Sequence, residues 1–187
     1  MNAPSSPAPS ALVSQPAFYP RVAFSRMIDG AFDVICDGVN PYLGSINFSL
    51  EDLPDYADFT SLFQYYCIEK IEIWFRPEYT VLSDASALSN SKNVEFFTAI
   101  DLVDSSVPTG GTVLQYQNCA HTSIVKTHYR KFKPAYRLDN VLPACGYVTT
   151  SNASLNWLGL KIEVPPTGIA MTFRTVTKFT ISCAGVK

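Results

Sequence analysis

The sequence predicts an all-β fold, an antiparallel sandwich of two sheets. Of its 187 residues, 47% are hydrophobic and 13% aromatic, and only 16% are charged, which is typical of a β-rich domain with much apolar surface. From Arg21 onward the dominant hydrophobic period is two, the period of a strand with one buried face. Roughly eight such segments, without a βαβ rhythm, favour the sandwich. The long irregular loops indicate an eight-stranded jelly roll rather than an immunoglobulin-type domain, whose Cys…Trp…Cys pattern is not evident.

The first twenty residues differ in composition from the rest of the chain. Residues 1–20 hold five of the thirteen prolines and no charged residue. Such a segment cannot bury enough apolar surface to offset the entropy lost on ordering. We therefore predict a flexible Pro/Ser/Ala-rich arm at 1–20 and a single jelly-roll domain at 21–187, a length that suits one domain.

The sequence predicts one short helix. In the chain it comes before the strands that form the third quarter of the sheet order. The segment 54–66 carries apolar residues at helical spacing. They are Phe59, Leu62, Phe63 and Tyr66. Asp55 can cap the start of this helix.

The predicted strands are segments of two-residue alternation. The first is long and is broken at Asp29-Gly30. The strand after the helix buries alternate residues from Ile71 to Phe75 and ends at Pro77, which cannot donate to a sheet. The remaining strands lie within the segments 94–104, 121–134, 158–164 and 171–183.

The residue types needed for catalysis or metal binding are sparse. The two histidines, His121 and His128, would lie on opposite faces of one extended strand and more than about 20 Å apart. Asp101 and Asp104 could bind a hard cation, but such loops need more carboxylates at closer spacing. No nucleophile or phosphate-loop motif occurs. We therefore predict no enzyme activity, no cofactor and no metal.

Cysteine usage and hydropathy bear on where the protein resides. The five cysteines form no Cys-x-x-Cys pair, which fits buried free thiols in a reducing compartment. No apolar run approaches the roughly 20 residues of a membrane span, so no membrane partner is predicted.

A cluster of positive charge stands out in the segment 123–137. It holds five of the fourteen Lys and Arg residues and no acid, in a chain of net charge −2, so the rest of the chain carries −2 − 5 = −7. The five are Lys126, Arg130, Lys131, Lys133 and Arg137. Lysines also protect an edge strand from unwanted pairing, which is the alternative explanation of this cluster.

The pattern within this cluster predicts a nucleic-acid-binding strand. The residues expected on one face are Lys126, His128 and Arg130. Those expected on the other are Tyr129, Lys131 and Lys133. Cations that neutralise phosphates beside rings on which unpaired bases can stack are typical of sequence-tolerant binding. We predict phosphate contacts from the five cations and stacking of bases on Tyr129 and Phe132.

Three stretches, in matching order, resemble the capsid proteins of circular Rep-encoding single-stranded DNA viruses, the circovirus-like group. The segment Phe59–Pro77 is similar to that family's aromatic helix followed by a strand ending in proline. The segment Leu114–Tyr136 resembles its later stretch of a histidine and basic residues closing on Lys-Pro, and 171–185 resembles its closing strand. Together they cover about a third of the chain.

The resemblance implies a structural protein of the virion. Its jelly roll would assemble with copies of itself, commonly sixty (T=1), into an icosahedral shell around a circular single-stranded genome, expected to be DNA. Assembly would take place in the host nucleus or cytoplasm. A surface poor in charge and rich in aromatic residues suits burial between subunits.

One feature departs from this family. Its members usually begin with an arginine-rich arm that binds the genome and directs nuclear import, whereas nothing basic precedes Arg21 here. Either the arm was lost or removed, or the inner face of the shell binds the genome, or the shell packages poorly.

Two other functions are compatible with a jelly roll. A carbohydrate- or ligand-binding module would expose aromatic rings on a concave face, with Trp74 and Trp157 as candidates. The alternative, which we favour, places both tryptophans at sheet borders or subunit contacts. A cupin-type enzyme would need a cluster of metal-binding histidines, which the sequence lacks.

Overall fold

A computed structural model describes residues 21–79, 94–137, 144 and 146–187. The predicted arm at 1–20 lies outside the described residues. In chain order the elements are β1 (Val22–Asp29), β2 (Val34–Cys36), β3 (Tyr42–Phe48), α1 (Tyr56–Leu62), β4 (Phe63–Tyr79), β5 (Glu95–Ile100), β6 (Ala120–Ser123), β7 (His128–Phe132), β8 (Ala135–Tyr136), β9 (Val148–Thr149), β10 (Trp157–Val164) and β11 (Met171–Val186).

The strands form two antiparallel sheets with jelly-roll connectivity. Sheet A follows the order β1-β11-β4-β7, with β2 added beside β11 and β9 beside β4. Sheet B follows the order β3-β10-β5-β6, with β8 added beside β10. The predicted two-sheet antiparallel jelly roll is therefore confirmed. The predicted number of eight strands is not confirmed. Eight strands form the two main paths, and three short strands, β2, β8 and β9, pair beside them.

The core lies between the inward faces of the two sheets. Ile71, Ile73 and Phe75 of β4 are fully buried, as their alternation predicts. Aromatic rings join the sheets, with Phe48 5.8 Å from Phe179 between ring centroids. Burying each side chain of this size stabilises the fold by about 1.5–3 kcal/mol.

The predicted first strand is confirmed as two pieces. Strands β1 and β2 both pair with β11, and the chain turns between them at Gly30, whose φ is +74°. Gly30 donates its backbone N–H to Thr175 O at 2.8 Å, which fixes this turn on the sheet.

The predicted helix is shorter than its apolar spacing indicates. It ends at Leu62, and Phe63 already has the extended backbone of β4, with φ −122° and ψ 150°. Because the following residues are aromatic and β-branched and pair with β11, sheet formation prevails over helical spacing. Leu62 is 56% exposed, while Phe59 is buried. Asp55 makes no capping hydrogen bond and instead accepts one from Arg26 Nε at 2.6 Å.

Two further strand predictions are wrong in their bounds. Strand β4 continues past Pro77 to Tyr79, because its pairing with β7 ends at Phe75 and leaves an edge where proline is tolerated. The segment 121–134 is not one strand. It contains β6 of sheet B and β7 of sheet A, joined by a turn in which Lys126 N donates to Ser123 O at 2.9 Å. The two histidines therefore lie on different sheets.

Among the described residues, the cysteines form no disulfide bond. Cys36, Cys67 and Cys183 are buried and Cys119 is half-buried. Burial raises the pKa of the Cys36 and Cys183 thiols to about 11, so both stay protonated at neutral pH. Within the described ranges, no helix has the length and apolar character needed to cross a membrane.

Candidate nucleic-acid interface

Strand β7 divides the basic cluster between two faces. His128, Arg130 and Phe132 point inward, whereas Tyr129 and Lys131 point outward from sheet A. Lys133 follows on the outward side and is exposed. The alternation of the sequence thus assigns the faces of β7 correctly.

The inward residues have little contact with solvent. Phe132 is 8% exposed and packs against Phe48, with ring centroids 5.9 Å apart. Arg130 is also 8% exposed and donates from Nη2 to Asn118 O at 2.9 Å. Burial lowers the pKa of this guanidinium from its usual value. Neither predicted contact therefore presents a surface on which a nucleotide could bind.

Acidic residues of β4 face the outward residues of β7. Lys133 Nζ lies 3.0 Å from Glu69 Oε2, and Tyr129 donates its hydroxyl to Glu72 Oε1 at 3.0 Å. Lys131 lies opposite Glu72 in the register. The local charge of the cluster is therefore partly offset by a strand that is distant in the sequence.

The pKa values of these two glutamates are consistent with the pairing. Burial raises the pKa of Glu69, but hydrogen bonds from Ser182 and Lys133 outweigh it and hold the pKa below its usual value. The hydrogen bond from Lys70, followed by that from Tyr129, lowers the pKa of Glu72. Both carboxylates are therefore ionised at neutral pH.

The remaining two cations lie apart from this face. Lys126 is exposed in the turn between β6 and β7. Arg137 follows β8 of sheet B and donates from Nη1 to Val103 O at 3.2 Å. It lines an open surface cleft together with Asp104 and Asn156. The structure thus brings together Tyr129, Lys131 and Lys133 but not the whole predicted set.

Trp74 belongs to the same outward face. It lies directly opposite Tyr129, with ring centroids 5.1 Å apart and the ring planes inclined by 32°. The other tryptophan, Trp157, is fully buried against Tyr136, with centroids 4.8 Å apart. Trp157 is therefore not an exposed ring of the kind that a ligand-binding module would need, because both faces of β10 are covered.

A cluster of charged residues around a buried lysine lies on the outward face of sheet B. Lys161 is 1% exposed and lies 3.9 Å from Asp101 Oδ2 and 3.8 Å from Asp104 Oδ2. It also donates to Ser106 O. The ammonium group thus occupies the position between the two aspartates where the sequence allows a cation. Among the described residues, no three His, Cys, Asp or Glu side chains are grouped to hold a metal ion.

The same cluster attaches the β5–β6 loop to the sheet. Glu163, two residues further along β10, accepts a hydrogen bond from Gly111 N at 2.7 Å. Tyr116 donates its hydroxyl to Asp101 Oδ2 at 2.9 Å. These bonds explain why β10 is buried on both faces although its sequence alternates.

Two four-stranded antiparallel paths with this connectivity define a jelly-roll domain of the kind found in icosahedral virus shells. The 60-mer BFDV capsid protein has the same fold, with a TM-score of 0.60 at 14% identity over 90% of this chain and 94% of that one. The decameric BFDV capsid protein gives 0.57 at 16% identity over 89% and 99%. The semi-empty particle of Macrobrachium rosenbergii nodavirus, from the giant freshwater prawn, gives 0.58 at 10% over 100% and 95%.

The sequence match identifies the family. The model of the circovirus capsid protein family matches residues 33–187, so the chain belongs to that family. It is a viral capsid protein. A search of curated proteins by sequence finds no match.

Proposed function

We propose that copies of this chain, sixty in the complete particle, assemble into an icosahedral shell around a small circular single-stranded DNA genome. The observation that carries the proposal is the family match, which spans both sheets of the jelly roll. A protein of the same fold is known as a 60-mer. The role is structural, and we propose no catalytic activity.

The exposed apolar side chains support assembly. Among the described residues, the largest exposed fractions belong to Val39 at 76%, Ile35 at 69%, and Met27 and Val186, both at 63%. Val107 at 60% and Val103 at 57% lie on the β5–β6 loop. Exposed apolar residues on sheet A and on the β2–β3 and β5–β6 loops are suited to burial against neighbouring subunits.

The genome would contact the exposed cations of the predicted cluster. The proposed phosphate contacts are Lys126, Lys131, Lys133 and Arg137. Tyr129, 43% exposed, remains the ring on which a base could stack. The protein would then reside in the virion, after assembly in the host nucleus or cytoplasm.

Negative-stain microscopy of the purified protein tests the assembly, with absorbance at 260 and 280 nm read on the same fraction. Uniform spherical shells with a high 260/280 ratio are the expected result. Empty shells would support the proposed assembly but contradict the proposed genome contact. A stable monomer over a range of salt and pH would contradict the proposed function and favour the ligand-binding module.

Reversing two charges of β7 tests the genome contact. The variant K131E/K133E is expected to fold and assemble but to retain less nucleic acid. Loss of two phosphate contacts should reduce the slope of log affinity against log salt by about 1.4 for a single strand. The measurement is oligonucleotide binding at several salt concentrations.

The control is K187E, a charge reversal of an exposed lysine in the cleft beside α1. It changes the net charge without changing the β7 face. Equal nucleic-acid content in K131E/K133E and the native protein would remove this strand from the interface.

A further inference from the structure

We infer that Trp74 and Tyr129 together form a stacking platform for unpaired bases on the outward face of sheet A. This inference rests on the proposed function, since it names the part of the genome that this face would bind. The ligand is single-stranded nucleic acid, recognised by its base faces as well as by its phosphates.

The geometry of the two rings suits a base. They occupy directly opposed positions on β4 and β7, with centroids 5.1 Å apart and planes inclined by 32°. Trp74 is half-buried and Tyr129 is 43% exposed. Stacking on such rings is tolerant of sequence, because every base has a flat π face.

Cations surround the platform in the register of the sheet. The positions beside and diagonal to Trp74 on β4, β7 and β11 carry four cations and one acid. The cations are Arg76, Lys131, Arg174 and Lys178, and the acid is Glu72. This arrangement resembles a cationic groove lined with rings, which binds a single strand along its backbone.

The arginines on this face are unusual for a solvated sheet. Arg76 and Arg174 lie directly opposite each other, and like charges in such positions destabilise a strand pair. Arg174 is held by Asp29, with Nη2 to Oδ2 at 2.8 Å, and its Nη1 lies 3.9 Å from Glu78 Oε1. A phosphate beside Arg76 would add a negative charge next to this arginine pair, which is consistent with an anionic ligand.

The charge of the whole face is complementary to nucleic acid. The outward positions of β1, β4, β7 and β11, with Lys133 just beyond β7, carry six cations and four acids, a net charge of 6 − 4 = +2. The chain as a whole carries −2. The cations are Lys70, Arg76, Lys131, Lys133, Arg174 and Lys178, and the acids are Asp29, Glu69, Glu72 and Glu78.

Tryptophan fluorescence provides a direct test, because the chain has two tryptophans and Trp157 is fully buried. The purified protein is titrated with an oligothymidylate and, separately, with an abasic deoxyribose-phosphate strand of the same length. Sedimentation is read on the same samples. We expect quenching by the oligothymidylate, little quenching by the abasic strand, and no signal change in W74F.

Variants of Tyr129 separate the ring from its hydroxyl. Y129L is expected to weaken oligothymidylate binding about tenfold, the effect of losing one stacked base. Y129F keeps the ring and loses only the hydrogen bond to Glu72, so its affinity should match that of the native protein. Abasic binding should be equal in all three.

Three results would overturn the inference. One is equal affinity for the abasic strand, which would show phosphate contacts alone. Another is equal oligothymidylate affinity in Y129L and the native protein. The third is a change in Trp74 fluorescence that accompanies the assembly of nuclease-treated protein. This result would show that a second copy of the chain covers this face. Failure to form shells would appear in sedimentation alone and would contradict the proposed function without altering the quenching result.

Discussion

Replacing Lys161 by methionine is expected to lower the free energy of unfolding by about 3 kcal/mol, because one partner of a buried ion pair is removed. Methionine fills a similar volume but cannot donate to Ser106 O or pair with Asp101. The Asp101 side chain is only 10% exposed and would lose the Lys161 ammonium, keeping neutral donors such as the Tyr116 hydroxyl. Since the Asp104 side chain is 54% exposed, water replaces its part of the interaction.

The matched control is K70M. Lys70 Nζ lies 3.0 Å from Glu72 Oε2, closer than Lys161 lies to either aspartate. This pair is partly exposed, so its loss should cost at most about 1 kcal/mol. Urea unfolding at one protein concentration, followed by circular dichroism, compares the two variants.

The double variant K161M/D101N adds a test of the cause. It removes both charges and should recover part of the stability lost in K161M. Equal destabilisation by K161M and K70M would show that burial does not determine the strength of these pairs. If the double variant recovers none of the stability lost in K161M, the loss is due to packing and not to the unpaired charge.

The fold was predictable because most of its strands bury alternate residues. Strand β11 follows this rule over residues 171–175 and 177–181, with Phe173, Phe179 and Ile181 fully buried. Periodicity fails at the turn between β6 and β7, where Ile124 is buried and falls in the same two-residue phase as the buried residues His128 and Phe132 of β7. The sequence therefore predicts one strand where the chain passes from sheet B to sheet A. Only the sheet partners of β6 and β7 reveal the break.

The candidate site was predictable in part for the same reason. The outward direction of Tyr129 and Lys131 follows from alternation within β7. The role of Trp74 does not, because its position beside Tyr129 depends on the register between strands more than fifty residues apart. The burial of Lys161 depends likewise on a loop that folds over β10. The local sequence pattern predicts which face of a strand each residue lies on. Strand register and loop placement determine which other residues contact that face.

Lowering the pH is expected to destabilise the subunit through His128. This residue of β7 is 2% exposed and contacts hydroxyls of sheet B, with Nε2 2.7 Å from Thr98 Oγ1 and Nδ1 2.9 Å from Thr122 Oγ1. The Phe96 ring lies 5.1 Å from it between centroids. The imidazole therefore joins the two sheets in a largely apolar setting.

Burial, followed by the positive charge of Arg130, lowers the pKa of His128 to about 4. The unfolded chain binds the proton near the ordinary pKa of about 6.5, whereas the folded chain binds it only near 4. Stability is therefore complete above about pH 6.5 and falls as the pH decreases, by about 1.4 kcal/mol per pH unit between the two values. At about pH 5 the loss should be about 2 kcal/mol.

Substitution of His128 isolates this effect. H128Q should lower the stability at neutral pH but flatten the dependence of stability on pH between about pH 6.5 and pH 4.5. Carboxyl groups with lowered pKa values, such as those of Asp29 and Glu72, act only at the acid end of this range. Urea unfolding at half-unit steps of pH gives the slopes, and an unchanged slope in H128Q would show that another group controls the response to acid.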